Sequence, residues 1–346
     1  MNQRAIAYVM EQTLGNITHY LNLRSAEPLA TAVLPRWLPI EYRPGVLPWT
    51  VTGGWLARNA LLPVLDQVDG VFIHTMTLAL GAFDLFLKKP FVLSCDATPF
   101  AKRHMRGAYG LASQLAWSEI AKRRLYRQML RRAAGFTAWS NWAKESLVRD
   151  YGCSPKDVAV IPPGVDVSAF APGAREHALP RILFVGGDFV RKGGDLLLEI
   201  FRKHLRGSAE LVLVTRDRVP EEPGVSVHLD LRANSPELRA LYSTSDIFAL
   251  PTRADCYALA CMEAMAAALP VVTTRVGGLS DLVTEGVTGH VIDVDDEAGL
   301  ASALASLSAD SGKRMEMAAA ARAQALARFD AKANAKALFE FVRSRC

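Results

Sequence analysis

The stretch PTRADCYALACMEAMAAALPVVTTRVGG, Pro251 to Gly278, holds one complete turn of an α/β unit. A strand, DIFALP, runs into it, a loop follows, an Ala/Met-rich segment reads as a helix, PVVTT reads as the next strand, and two glycines close it. Helical and strand periods that alternate this tightly indicate a parallel sheet covered by helices. The acids raise the chemical question. Asp255 lies in the loop, near the N-cap of a helix starting around Tyr257, where an acid is favoured on capping grounds alone. Glu263 lies among Ala260, Cys261, Met262, Ala264, Met265 and Ala266, a buried-helix context in which an unpaired carboxylate is costly. A pyrophosphate at the helix N-terminus would explain both, each acid receiving hydroxyls from one end of a ligand.

The same alternation extends over the chain. AIAYVM, GVFIHTM, FVLSC, GFTAWS and VAVIP precede RILFVG, AELVLVT, VSVHLD, DIFALP, PVVTT and HVIDV, with helical segments between them. Eleven strands exceed one comfortable open sheet, and the 346 residues favour two domains. The break falls in IPPGVDVSAFAPGAREHALP, Ile161 to Pro180, where four prolines and two glycines interrupt the periodicity. Two doubly wound Rossmann-like domains are expected, residues 1–165 and 166–328, with ligand loops at the carboxyl ends of the strands. The segment 329–346 reads as a helix with no strand after it, and either half is open to it.

A second loop points to an anion. RILFVG leads into GDFVRKGGDLLLEIF, a strand, a glycine-rich turn and a helix opening near Gly194, with Arg191 and Lys192 adding charge. Free amides, glycines and cations suit a phosphate, although the spacing is neither a dinucleotide fingerprint nor a P-loop. Ordinary α/β turns also carry glycines.

The bulk numbers exclude several classes. Half of the residues are apolar, which fits a globular enzyme and not a disordered chain. The five cysteines, Cys95, Cys153, Cys256, Cys261 and Cys346, are odd in number and lack metal spacing, so a reducing, cytoplasmic setting is expected. No run reaches the roughly 18 apolar residues of a membrane span. The net charge of +5 favours an anionic partner. Much of the bias sits in WSEIAKRRLYRQMLRRAA, Trp117 to Ala134, where Lys122, Arg123, Arg124, Arg127, Arg131 and Arg132 face the single acid Glu119. Trp117, Ala121, Leu125 and Met129, spaced i, i+4, are expected to face the core. The bases then form a solvated face or a contact with anionic lipid at the inner face of the membrane. Nucleic acid is not expected, since no aromatic-interleaved basic motif accompanies them.

IPPGVD at Ile161, FVGGDFVRKGGDLLLEIF at Phe184 and PTRADCYALACMEAMAAALPVVTTRVGGLSDLVTEGVTGHVID at Pro251 together resemble the retaining nucleotide-sugar glycosyltransferases of the glycogen synthase-like and sucrose synthase-like group. The resemblance is dense in the C-terminal half. In the N-terminal half it rests on TLGNITHYLNL and AWSNWAKESLVRDYG. It implies the GT-B fold, two Rossmann-like domains facing each other across a cleft, a nucleoside-diphosphate sugar as donor, and a hydroxyl of a glycan, lipid or small molecule as acceptor. It implies no cofactor and no metal.

By the same resemblance Asp255 addresses donor-sugar hydroxyls, Glu263 accepts from the ribose, and Lys192 binds the diphosphate. The amides of Ala258 and Leu259, beside Tyr257, meet phosphate, and Gly277, Gly278 and Asp281 form a further donor loop. The chain departs from the family at Gly187, where an arginine is usual and which Arg191 is expected to offset, and at Asp255, where a glutamate is usual. The base pocket is placed near Leu231 to Ala233, beside Arg232. On the acceptor side stand Gly15 and Asn16 after the first strand, His74 ending VFIH, and Asp96 in SCDATP, where Cys95 occupies the place of a frequent histidine. Asp96 before Pro99 also reads as a turn residue, and His74 as a partly buried imidazole. The rival readings are a degenerate relative that binds without turnover and a nucleotide-sugar epimerase on the same fold. Nothing specifies UDP, GDP or ADP.

Overall fold

In the computed structural model residues 3–346 are described, save 14, 44, 46 and 111–115 and the side chains of 116–118. Trp117 therefore lies outside the described side chains. The strands are β1 (Arg4–Gln12), β2 (Val33–Glu41), β3 (Gly70–His74), β4 (Phe91–Cys95), β5 (Gly135–Ala138), β6 (Val158–Val160), β7 (Arg181–Val185), β8 (Glu210–Thr215), β9 (Val225–Leu229), β10 (Ile247–Leu250), β11 (Val271–Thr274) and β12 (Gly289–Ile292). The α-helices are α1 (Gly15–Ser25), α2 (Trp49–Leu61), α3 (Met76–Gly81), α4 (Ala116–Leu130), α5 (Asn141–Tyr151), α6 (Gly194–Ile200), α7 (Pro236–Thr244), α8 (Leu259–Ala266), α9 (Glu297–Ala309), α10 (Ser311–Arg328) and α11 (Ala331–Arg345).

Two six-stranded parallel sheets result, ordered β2-β1-β3-β4-β5-β6 and β12-β11-β10-β7-β8-β9. In each, the chain builds outward on one side and then returns to build on the other. The reversal lies between β1 and β3 in the first sheet and between β7 and β10 in the second. Ligands of open α/β sheets bind at such reversals, outside the strand carboxyl ends.

One strand was not expected from the sequence. β2, VLPRWLPIE, contains Pro35 and Pro39, yet pairs with β1 in parallel from Val33 to Glu41. It is an edge strand, half-exposed, which is where a sheet tolerates prolines.

The chain divides into a unit of Met1–His104, Ala112–Gly164 and Ala331–Cys346 and a second of Met105–Leu111 and Val165–Asp330. The division after Gly164 falls one residue before the expected boundary. The C-terminal segment 331–346 returns to the first unit, and Met105–Leu111 sits with the second. In the first unit β1 is buried on both faces, as a central parallel strand must be. Ala7 and Val9 join Leu61, Ile73 and Leu93 on one side, while Ile6, Tyr8 and Met10 meet Leu338, Phe339 and Val342 of α11 on the other. In the second unit Leu183, Leu213, Phe248 and Val272 are fully buried strand residues.

Of the stripe expected in the basic helix α4, Met129 is buried, but Ala121 and Leu125 are exposed, so the buried face is turned from the expected row. Tyr126, Met129 and Leu130 face the core, whereas Ile120 and Leu125 are exposed at 47% and 43%. Their i, i+3, i+4 spacing covers a broader face than the i, i+4 row. Among the described residues no helix is long and apolar enough to cross a membrane.

Candidate functional site

Glycines set the loops at the reversal of the second sheet. Gly193, at φ +76°, lies so close to Pro251 that an added Cβ would stand 2.0 Å from its carbonyl oxygen. Only glycine combines that φ with that approach. The loop after β7 is thereby laid on the loop after β10, where the Arg253 amide donates to the Arg191 carbonyl at 2.9 Å. Gly277, at φ +57°, does the same for the loop after β11, its missing Cβ lying 2.0 Å from the Asp255 carbonyl oxygen. The Gly278 amide then donates to the Cys256 carbonyl at 2.9 Å.

Lys192 and Asp255 meet across this reversal, the ammonium donating to Oδ2 of the carboxylate. Asp255 is buried, and its Oδ1 accepts from the Tyr257 amide at 3.3 Å. It does not cap α8, as the sequence suggested. The helix starts at Leu259, two residues later than expected, and its N-cap is Ala258 with extended backbone and no accepting side chain. Tyr257 and Leu259 are buried beside it. The opposite end of α8 is held by cations. Arg322 donates to the Ala266 carbonyl, and Arg175 donates to those of Ala267 and Ala268 at 3.0 and 2.9 Å.

Glu263 stands in the second turn of α8, 6% exposed. Burial pushes its carboxyl up to about 7, opposed in part by the Tyr242 hydroxyl. Tyr242 is itself fully buried, and its hydroxyl donates to the Ala260 carbonyl at 3.4 Å.

Arg191 does not stand free to offset Gly187. Its guanidinium donates to Asp188 Oδ2 at 2.9 Å and to the Ala254 carbonyl at 2.8 Å, and covers the Tyr109 ring at 4.8 Å. It fastens the two loops to each other. Gly187 is exposed, and its Cβ position faces Arg216, which the sequence reading did not single out. Arg253 was also missed: it pairs with Asp195 at 2.6 Å and Asp295 at 2.7 Å. Arg232 is exposed on the loop between β9 and α7. Asp281 closes the short turn after Gly278.

In the first unit a hydrogen bond likewise spans the reversal. Asn16 Oδ1 lies 3.1 Å from His74 Nε2, and Ser94 Oγ lies 3.1 Å from Nδ1. His74 is fully buried and stacked on Trp139, and burial, with Lys102 nearby, lowers it to about 3, so it is neutral near pH 7. His19 sits 5.2 Å from the His74 ring with neither nitrogen partnered among the described residues. Gly15 opens α1 and is exposed. Asp96 is half-exposed and accepts from the Ala97 amide at 2.7 Å, the turn role. Glu11 was missed, because it directly follows the apolar run AIAYVM near the end of β1. It is buried, accepting from Thr13 and Trp49 at 2.8 and 2.9 Å and from Thr75. Among the described residues no cluster of three or more His, Cys, Asp or Glu could hold a metal.

Known proteins resemble both units. Residues 18–169 match the model of Glycosyltransferase Family 4, and residues 179–310 that of Glycosyl transferases group 1. A D-inositol 3-phosphate glycosyltransferase of Xylanimonas cellulosilytica is 31% identical over 52% of this chain and 49% of its own. One of Corynebacterium glutamicum is 29% identical over 77% of this chain and 69% of its own. The chain thus spans about half the length of the first relative. The Anabaena protein HepE, solved with UDP and glucose, shares the fold with a TM-score of 0.76 at 16% identity, covering 99% of this chain and all of the other.

Proposed function

The chain belongs to the GT-B glycosyltransferases, and on that premise we propose that it transfers a sugar from a nucleoside-diphosphate sugar to a hydroxyl acceptor, with retention at the anomeric carbon. The observation that carries the reading is the Lys192–Asp255 bond at the reversal of the second sheet, beside a helix whose N-cap has no side-chain acceptor.

A diphosphate placed at the start of α8 meets the amides of Ala258 and Leu259 and the ammonium of Lys192. When the bond from the anomeric carbon to the diphosphate breaks, charge grows on the leaving oxygen, and donors already aimed there lower the barrier. Lys192 then exchanges part of its bond to Asp255 for phosphate, which leaves Asp255 able to accept sugar hydroxyls. Asp255 is one methylene shorter than the family's glutamate, so its reach selects among sugars. Glu263 is assigned the ribose. The reading gives every charge-stabilising role to protein groups and none to a metal.

In the first unit Asn16, His74 and Asp96, with the backbone of Gly15, are assigned to the acceptor. His74, fully buried with Asn16 and Ser94 on its two ring nitrogens, acts there as a neutral ring that positions Asn16, because its protonated form is suppressed far below pH 7. The relatives' names make a phosphorylated cyclitol one acceptor to try, and HepE makes UDP-sugars the first donors. Exposed Ile120 and Leu125 among the bases of α4 favour a peripheral contact with anionic lipid, readable as sedimentation with phosphatidylglycerol vesicles but not phosphatidylcholine ones.

The test is a panel of nucleotide sugars with nucleoside diphosphate release measured with and without acceptor. Acceptor-dependent release is the expected result. Binding without release supports a degenerate relative, and a donor whose sugar is inverted while still attached supports an epimerase.

A further inference from the structure

Lys192 is one cation for a ligand with at least two phosphate charges, and the nearby arginines are otherwise committed. The Arg191 side chain is 9% exposed and held by Asp188 and a carbonyl, and Arg253 is held by two aspartates. Arg216 is different. It is exposed, and among the described residues no carboxylate pairs with it.

Its place is dictated by the sheet. β7 and β8 run parallel with Val185 opposite Val214, so the residues two further on, Gly187 and Arg216, leave the sheet side by side. The Phe189 amide donates to Asp217 Oδ2 at 2.6 Å, which pins the glycine turn to the residue after Arg216. Two consecutive glycines then present bare backbone to two cations. A Cβ on Gly186 would stand 2.9 Å from the Lys192 Cβ. A Cβ on Gly187 would stand 3.3 Å from the Nε of Arg216, 3.5 Å from its Cδ and 3.6 Å from its Cζ. The Arg216 guanidinium thus packs against Gly187, crowding the place where a side chain at position 187 would begin.

We propose that Arg216 is the second donor-diphosphate cation of this enzyme, delivered from the end of β8, and that glycine at position 187 is what admits it. Gly187 and Arg216 form a single device: an arginine reaches the same region from the neighbouring strand instead of from the turn itself. The inference rests on the proposed donor site.

The test measures dissociation constants by calorimetry for UDP, GDP and ADP, and for the monophosphate of whichever binds best, with melting temperature as a fold control. Arg216→Ala is expected to weaken the diphosphate about tenfold or more and the monophosphate much less, since charge-assisted contacts to the outer phosphate are lost. The melting temperature stays within a degree or two, because the residue is exposed. Gly187→Arg in the Arg216→Ala background is expected to recover most of the affinity, which a merely structural residue would not allow. Wild-type affinity in Arg216→Ala overturns the inference while leaving the donor site standing. Failure of the wild type to bind any of the three diphosphates overturns the donor reading and this one with it.

Discussion

Under the ribose assignment we propose for Glu263, its carboxyl couples donor binding to protons. Its ordinary value of 4.5 is raised to about 7 in the folded protein, chiefly by burial. The folded state therefore holds a proton between pH 4.5 and 7 that the unfolded chain releases, and stability contributed by this group is present below 4.5 and is lost as pH rises through 7. The span of that loss is roughly 3 kcal/mol. A ribose that donates two hydroxyls prefers the ionised acceptor, so nucleoside diphosphate affinity is expected to be about tenfold weaker at pH 6 than at pH 8. Glu263→Gln should remove this slope in calorimetric titrations and weaken binding, yet resist urea better than wild type at pH 8. A variant that unfolds instead would make the carboxyl a packing residue. Lys192→Ala should raise the diphosphate dissociation constant at least tenfold, and an unchanged constant would remove the lysine from the site. As candidates, Asp255, Glu263 and Lys192 were legible in the sequence because an acid in an apolar helix and a lysine in a glycine turn conflict with their surroundings. Arg216 was not, since its relation to Gly187 exists only once β7 and β8 are in register. Asp255 looked like a helix cap because its spacing allows it, but its carboxylate is drawn to Lys192 across the sheet reversal.

At the level of elements, α8 works as an oriented dipole. Two arginines hold its final carbonyls, where positive charge is favourable, and burial lowers the pKa of both. Its N-cap is an alanine in extended conformation, so amides at the favourable end for an anion have no side-chain oxygen competing for them. Ala258→Ser supplies such an oxygen. It is expected to stabilise the second unit by about 1 kcal/mol, the usual worth of an N-cap, while weakening nucleoside diphosphate binding severalfold. Stability rising as affinity falls, read by urea denaturation and calorimetry on one sample, is a pairing that a purely structural helix end would not give. If both rise, the amides do not meet phosphate. The helix itself was visible as an apolar run after a loop, and its neighbours β10 and β11 as apolar strands. β2 escaped notice because two prolines and a half-exposed surface erase the strand signal on an edge.

The chain as a whole crosses between its units more often than its linear order suggests. The prolines near Ile161 signal one crossing, but the return at Ala331 carries no mark beyond a helix without a following strand. That return is stabilised by fit. A Cβ on Gly164 would lie 2.1 Å from the Ala331 Cα, and one on Gly70 would lie 2.3 Å from the Cys346 Cβ. Arg345 Nη1 also donates to Asp157 Oδ1 at 3.0 Å. Leu338, Phe339 and Val342 complete the cluster over Ile6, Tyr8, Met10 and Phe72, and each buried side chain of this kind is worth about 1.5–3 kcal/mol. Removing 331–346 therefore takes away roughly 5–9 kcal/mol, comparable with the whole stability of an ordinary domain. The second unit keeps its sheet, α8, α10 and the Lys192–Asp255 pair, because none of these draws on α11. Hydrogen exchange on the chain ending at Asp330 should show β1, β3 and β4 unprotected and β7, β10 and β11 protected, with nucleoside diphosphate still bound. Loss of nucleotide binding while the second sheet stays protected would mean that the first unit supplies contacts this assignment gives to Lys192, Glu263 and the start of α8.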